Sequence, residues 1–168
     1  AEHNTFNIAF MGKRLFYNSG YRPWMGAPHT LAWYKHTQGH NGILVDQKGQ
    51  LYDAGAYGFI PRFIRGESIS YAVGDASHAY QAHELSMKVR KDNTPNDMEV
   101  DLFRRHYLLL KPDIFVVYDE LESRSPVDWS WLIHNYDGLK LNAENKTVET
   151  TYKDRGGKVT LYGSSDLD

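Results

Sequence analysis

The chain has 168 residues, of which 41 % are hydrophobic and 14 % aromatic, with no cysteine and a formal net charge of −2. That length suits one domain with a sizeable core, and the lack of cysteine excludes disulfides and thiolate metal sites. A balance of 19 basic against 21 acidic residues argues against a nucleic-acid partner, which calls for a basic excess, and no run approaches the ~20 apolar residues that span a bilayer.

The chain opens on Ala1-Glu2-His3 with no initiator Met and no visible signal peptide, and it meets a strand-like run almost at once. It therefore reads as a piece of a longer polypeptide. Strands are expected over Phe6 to Phe10, Leu15 to Tyr17 and Gly42 to Asp46, with turns at Ser19-Gly20 and Lys48-Gly49. Between them Arg22 to His40 is rich in Pro, Gly, Trp and His with weak periodicity, the pattern of a long loop near a functional face. Further strands are expected over Ile69 to Val73 and Glu84 to Arg90, with a short helical turn within Asp75 to Ala82, while Arg62 and Arg65 read as a loop pair.

The middle of the chain carries the strongest hairpin signal. Val100 to Leu110 and Ile114 to Tyr118 are strand-like, and Lys111-Pro112-Asp113 between them supplies turn residues. Arg104 and Arg105 fall on opposite faces of their strand. After a connecting loop at Ser123 to Pro126, Val127, Trp129, Trp131 and Ile133 alternate with Asp128, Ser130, Leu132 and His134, as in a half-buried strand. Asp137-Gly138 and Gly156-Gly157 read as turns, and Val148, Thr150, Tyr152, Val159 and Leu161 keep the period of two. With 12 Tyr, 7 Phe and 4 Trp and no long helical run, the expected fold is all-β: an antiparallel β-sandwich or large folded sheet of the supersandwich kind, as one domain over residues 1–168.

The densest chemical cluster lies between Tyr17 and Asn41 and holds Tyr21, Arg22, Trp24, His29, Trp33, Tyr34, His36 and His40. Aromatic faces stack on sugar C–H faces, and His, Tyr and Arg contact hydroxyls and carboxylates, so the mixture suits a carbohydrate site; a loop whose aromatics cap the core fits the same composition. His36 and His40 would share a face, as a metal pair can, if this stretch were helical. His134 points either at a cleft or into a structural hydrogen bond. No GxSxG elbow, P-loop or GxGxxG motif is present, which leaves serine nucleophile chemistry and nucleotide binding without support.

Several blocks together resemble the heparinase II/III-like polysaccharide lyases. These are Asn4-Thr5-Phe6-Asn7-Ile8, Gly12-Lys13-Arg14-Leu15, Ser19-Gly20-Tyr21 and the run from Thr37-Gln38-Gly39-His40-Asn41 to Asp46. Later blocks run from Arg105-His106-Tyr107 to Lys111-Pro112-Asp113, over Val117 to Glu120, and along Trp131-Leu132-Ile133-His134. The likeness covers the chain roughly from Ala1 to His134. It implies a β-sandwich module joined to an upstream α/α toroid, with a cleft between them in which uronate-containing, glycosaminoglycan-like polysaccharides are cleaved by β-elimination. It implies an acidic polysaccharide as partner, no required cofactor, a structural zinc in some members, and a periplasmic or secreted setting.

On that resemblance His40 matches the histidine of the family's His-Asn motif, a zinc ligand where metal is present, and Asn18 stands where the family carries Asp. His40, His36, Tyr34 and Tyr21 are the catalytic candidates; Asn41, Trp33, Arg62 and Trp24 are the substrate-binding candidates. Without the toroid this piece alone is expected to have little or no lyase activity. A non-catalytic carbohydrate-binding module and a structural β-domain are the competing readings.

Overall fold

A computed structural model of the chain describes residues 2–20, 24, 27–51, 55–81 and 98–164. In chain order the strands are β1 (Ile8–Phe10), β2 (Lys13–Phe16), β3 (Ile43–Val45), β4 (Phe59–Arg65), β5 (Ile69–Asp75), β6 (Val100–Leu110), β7 (Ile114–Ser123), β8 (Trp129–Trp131), β9 (Lys140–Asn142), β10 (Thr147–Tyr152) and β11 (Arg155–Thr160). Every pairing among the described residues is antiparallel, and the expected all-β class holds. The strands form a four-stranded sheet in the order β4-β5-β6-β7, a three-stranded sheet β11-β10-β9, and the pairs β1-β2 and β3-β8.

Local chemistry sets the hairpins. Met11 and Gly12 both hold positive φ, at 47° and 77°, in the two-residue turn that joins β1 to β2; a turn of that hand matches the strand twist. Lys111-Pro112-Asp113 closes the β6-β7 hairpin, with Leu110 opposite Ile114. The register gives the central sheet two unlike faces. Its inner face carries Phe103, Arg105 and Tyr107, opposite Leu121, Asp119 and Val117. Its outer face carries Arg104, His106 and Leu108, opposite Glu120, Tyr118 and Val116 on one side and Asp75, Val73 and Tyr71 on the other.

The core sits against the inner face. Ile43, Val45, Leu51, Ala76, Ala79, Tyr80, Met98, Val100 and Phe103 form one buried cluster, and Val127, Trp129 and Trp131 pack onto it. Trp131 and Trp129 stand opposite Ile43 and Val45 across the β3-β8 pair, so the alternation read from Val127 onward places the expected side chains inward. Each fully buried apolar side chain contributes roughly 1.5–3 kcal/mol. The buried Tyr80 hydroxyl donates to the Ile43 carbonyl at 2.6 Å, which satisfies the one polar atom that its burial strands.

Three expectations are corrected. Phe59–Arg65, with its loop-like arginines, is the edge strand β4, exposed along its whole length and bulged between Phe59 and Arg62. Pro61 lies in that irregular stretch, where a missing N–H breaks no regular ladder. Gly156-Gly157 is not a turn but part of β11; the reversal comes earlier, at Lys153 with φ of 56°. Of Val127 to His134 only Trp129–Trp131 is laddered. The short helical turn expected within Asp75 to Ala82 is present, as a 3-10 turn over Ser77–Ala79. The strand expected over residues 84–90 lies outside the described residues.

Candidate functional site

Residues 27–41 pack into two tight turns. Thr30–Tyr34 forms one π turn and Thr37–Gly39 one 3-10 turn. The His36 imidazole caps the second turn: its Nδ1 accepts the Gln38 backbone N–H at 3.1 Å. Glycine is required at Gly39, because a Cβ there would lie 2.7 Å from the Trp33 carbonyl oxygen and 2.8 Å from Ser19 Oγ. Ser19 fixes the turn from outside, with its backbone N–H and its hydroxyl both donating to the Gly39 carbonyl at 2.9 and 3.0 Å. Buried Thr37 does so from the other side, its Oγ1 accepting the Gln50 N–H at 2.8 Å.

Asn41 is the hub beneath this loop and is fully buried. Its Nδ2 donates to the Phe6 carbonyl at 2.9 Å. Its Oδ1 accepts the His134 backbone N–H at 2.6 Å and lies 3.2 Å from His134 Nδ1. Its own N–H donates to Asn18 Oδ1 at 2.9 Å. Its carbonyl accepts from Arg105 Nη1 at 3.0 Å. Arg105 continues the network: the guanidinium pairs with both Asp119 oxygens at 2.6 and 2.7 Å, donates to the Asn4 carbonyl at 2.7 Å, and lies over the rings of Phe6 and Phe103. Bidentate pairing, further hydrogen bonds and aromatic contact together let a guanidinium stay charged while buried.

His40 sits at the end of the 3-10 turn with 2 % of its surface exposed. Its Nε2 lies 3.0 Å from the Tyr34 carbonyl and 3.6 Å from Glu2 Oε1. A carbonyl only accepts, so Nε2 carries the hydrogen. Nδ1 is buried and has no hydrogen-bond partner among the described residues. Burial lowers the His40 pKa below the usual imidazole value, against an opposing pull from Glu2 and the Tyr34 carbonyl. Burial likewise lowers the pKa of His36 and of His134. All three rings are thus biased toward the neutral form.

The surface above is aromatic. Trp33 is 38 % exposed and meets the His134 ring edge-on, with centroids 6.1 Å apart. Tyr34 and His36 are half-buried beside it in the chain, and Trp24 is 65 % exposed. The structure therefore brings Asn41, Trp33 and His40 to His134, while Tyr34 meets His40 through its carbonyl and His36 caps the adjoining turn. His134 was legible only as a half-buried strand residue, because its partner Asn41 lies far away in sequence. Arg62 is not part of this group. It stands on β4 opposite Val73, on the outer face of the central sheet, whereas Asn41 meets Arg105 on the inner face. Tyr21 lies outside the described residues.

Among the described residues the donor set does not assemble a zinc site. Asn18 Oδ1 is turned to the Asn41 N–H and His40 Nε2 to the Tyr34 carbonyl. His36 and His40 flank a 3-10 turn and do not share a helix face. Among the described residues no three His, Cys, Asp or Glu side chains converge on one point, whereas a structural zinc takes four ligands.

Comparison with solved structures gives the same fold in larger enzymes. A heparinase III is 18 % identical with a TM-score of 0.64, the match covering 90 % of this chain and 21 % of that one. The heparan sulfate lyase HepC from Pedobacter heparinus is 14 % identical with a TM-score of 0.65, covering 91 % of this chain and 21 % of its own. The chain thus spans about a fifth of the length of these structures. No curated protein sequence matches it. The family model described as "Heparinase II/III-like, C-terminal" matches residues 1–166, nearly the whole chain, and the protein belongs to that family.

Proposed function

We propose that this chain is the β-sandwich part of a lyase that cleaves uronic-acid-containing, glycosaminoglycan-like polysaccharides by β-elimination. The loop of residues 27–41, with His134, forms one wall of its substrate cleft. The carrying observation is the exposed Trp33 set nearly perpendicular to the ring of His134, an imidazole that burial biases to the neutral form. A neutral imidazole has a lone pair that accepts a proton, and an exposed indole gives a sugar ring an apolar face.

In the reaction a base removes the proton at C5 of the uronate and the electrons form the C4–C5 double bond. The C4–O bond breaks, and an acid protonates the departing oxygen. Tyr34 on the loop and Tyr21 are the groups of this chain assigned to proton transfer; His36, whose Nδ1 already accepts the Gln38 N–H, can only donate, from Nε2. Trp33 and Trp24 hold the sugar. His40 and Asn41 are buried, and their role is to position the loop and His134. The proton transfers consume no cofactor. An α/α toroid in the same polypeptide supplies the facing wall and the rest of the machinery, and an extracellular or periplasmic setting follows from the nature of the substrate. Among the described residues no helix is long and apolar enough to cross a membrane.

The test is ultraviolet absorbance of the unsaturated uronate product, followed with a panel of acidic polysaccharides, the 168-residue chain and its full-length parent in parallel. Product from the parent and none from this chain is the expected result, and the active substrate names the class. Silence from the parent on every uronate defeats the lyase reading. Saccharide binding without product would then mark a carbohydrate-binding module.

A further inference from the structure

The outer face of the central sheet, turned away from Asn41, carries an unbroken hydrogen-bonded chain drawn from three strands. The Tyr71 hydroxyl on β5 lies 2.6 Å from His106 Nδ1 on β6, and His106 Nε2 lies 3.0 Å from Glu120 Oε2 on β7. The register produces it. His106 stands opposite Val73 and Tyr118, so Tyr71 and Glu120 are its diagonal neighbours on the same face, within reach of long side chains.

The chemistry of the groups fixes the direction of each bond. An ionised carboxylate only accepts, so Nε2 carries a hydrogen and donates it to Glu120. In the neutral ring Nδ1 then holds the lone pair, and the Tyr71 O–H points inward to it. A second proton on the ring goes to Nδ1 and reverses that link. The Tyr71 oxygen now accepts, and its hydrogen must turn away from His106, free to donate to something outside.

The surroundings favour a negatively charged guest in that second state. Arg62 on β4 stands in the same cross-strand row as His106. Arg104, with a side chain 40 % exposed, bridges Asp75 at 3.1 Å and Glu120 at 3.6 Å. Tyr118 on β7 is 59 % exposed with its ring centroid 5.5 Å from that of His106. The charged groups facing His106 are thus Arg62 and Arg104 against Asp75 and Glu120. They cancel while the ring is neutral and leave one net positive charge when it is protonated.

We propose that Tyr71, His106 and Arg62 form a second, proton-gated binding site for an oxyanion, the sulfate or carboxylate group of an acidic saccharide. The saccharide as carrier rests on the proposed function; the oxyanion chemistry does not. Protonation of His106 turns the Tyr71 hydroxyl outward as a donor and tips the local charge positive, so the site fills in acid and empties as pH rises.

The test follows side-chain NMR signals of Tyr71, His106 and Trp33 in the 168-residue chain, at about pH 5 and about pH 8. The probes are inorganic sulfate, a heparin-derived tetrasaccharide and an unsulfated uronate oligosaccharide. Tyr71 and His106 should respond to the tetrasaccharide at pH 5 with an affinity about tenfold higher than at pH 8. Tyr71→Phe, which keeps the ring and removes the donor, should lose about that factor at pH 5 and nothing at pH 8. A response to sulfate alone, or only to the uronate oligosaccharide, supports the site and identifies the anion. Silence of Tyr71 and His106 to all probes at pH 5, equal affinity at the two pH values, or an unaffected Tyr71→Phe variant overturns it. A response at Trp33 alone overturns this site and leaves the loop cleft standing; a response at Tyr71 and His106 alone does the reverse.

Discussion

Asn41 Oδ1 accepts the backbone N–H of His134 at 2.6 Å across a sequence separation of 93 residues. The same amide donates to Phe6, so one side chain ties the N-terminal segment, the loop and the end of β8 together. Asn41→Ala leaves the His134 N–H and the Phe6 carbonyl buried without partners and opens a small cavity. The expected cost is about 2–4 kcal/mol, read as a lower urea midpoint at unchanged m-value. A shift below ~0.5 kcal/mol would show that Asn41 is not a structural hub.

Arg105 and Arg104 are chain neighbours with opposite surroundings. Arg105 is fully buried on Asp119, and Arg104 is on the wet outer face. Arg105→Ala strands the Asp119 carboxylate in the interior and should destabilise by about 3–5 kcal/mol. Arg104→Ala should cost no more than about 1 kcal/mol. Equal losses for the two variants in thermal or urea unfolding would contradict the two-faced register.

The pH dependence of stability has a definite sign. His36, His40 and His134 all titrate below the usual imidazole value of 6.5 when folded, chiefly through burial. The unfolded chain therefore takes up protons first as pH falls, and ∂ΔG/∂pH is positive in that window. Stability should be fully present above about pH 6.5 and should decline as pH falls below it. Urea midpoints between pH 5 and 8 measure this, and His40→Gln should flatten the slope. A midpoint that rises on acidification rules out the burial account.

Trp33 is 38 % exposed, with its ring nearly perpendicular to that of His134. Trp33→Ala should lower affinity for an acidic oligosaccharide by about tenfold, since stacking on an aromatic face is worth about 1.5 kcal/mol. It should change the melting temperature by only a few degrees, because the ring is no part of the buried cluster. Loss of fold in circular dichroism, with binding lost only in proportion, would make it a core residue instead.

Much of this was legible in the sequence because strand periodicity is a local signal. The alternation from Val127, the Lys111-Pro112-Asp113 reversal and the opposed faces of Arg104 and Arg105 all hold. β4 escaped because Phe-Ile-Pro-Arg-Phe-Ile-Arg is apolar on both faces and carries a proline. Gly157 misled for a different reason. A Cβ there would lie 2.7 Å from the Phe16 ring, so the glycine serves close packing of β11 on β2 and not a change of direction. For the site, composition marked the loop, but burial and pairing are tertiary facts. Nothing local in His40 shows that its ring is enclosed, or that Arg62 lies across the sheet from it.

Pro61 gives the exposed edge of the central sheet a meaning beyond its geometry. Among the described residues β4 has no neighbour on its outer side, and Phe59, Ile60, Phe63 and Ile64 are all largely exposed along it. Such a ribbon invites the β4 of another molecule to add as a fifth strand, and end-to-end addition of that kind grows into insoluble fibre. A residue that cannot donate to a new ladder, next to a bulge and directly before the charges of Arg62 and Arg65, interrupts that growth. The feature that hid β4 from periodicity is then the same one that keeps concentrated chains apart.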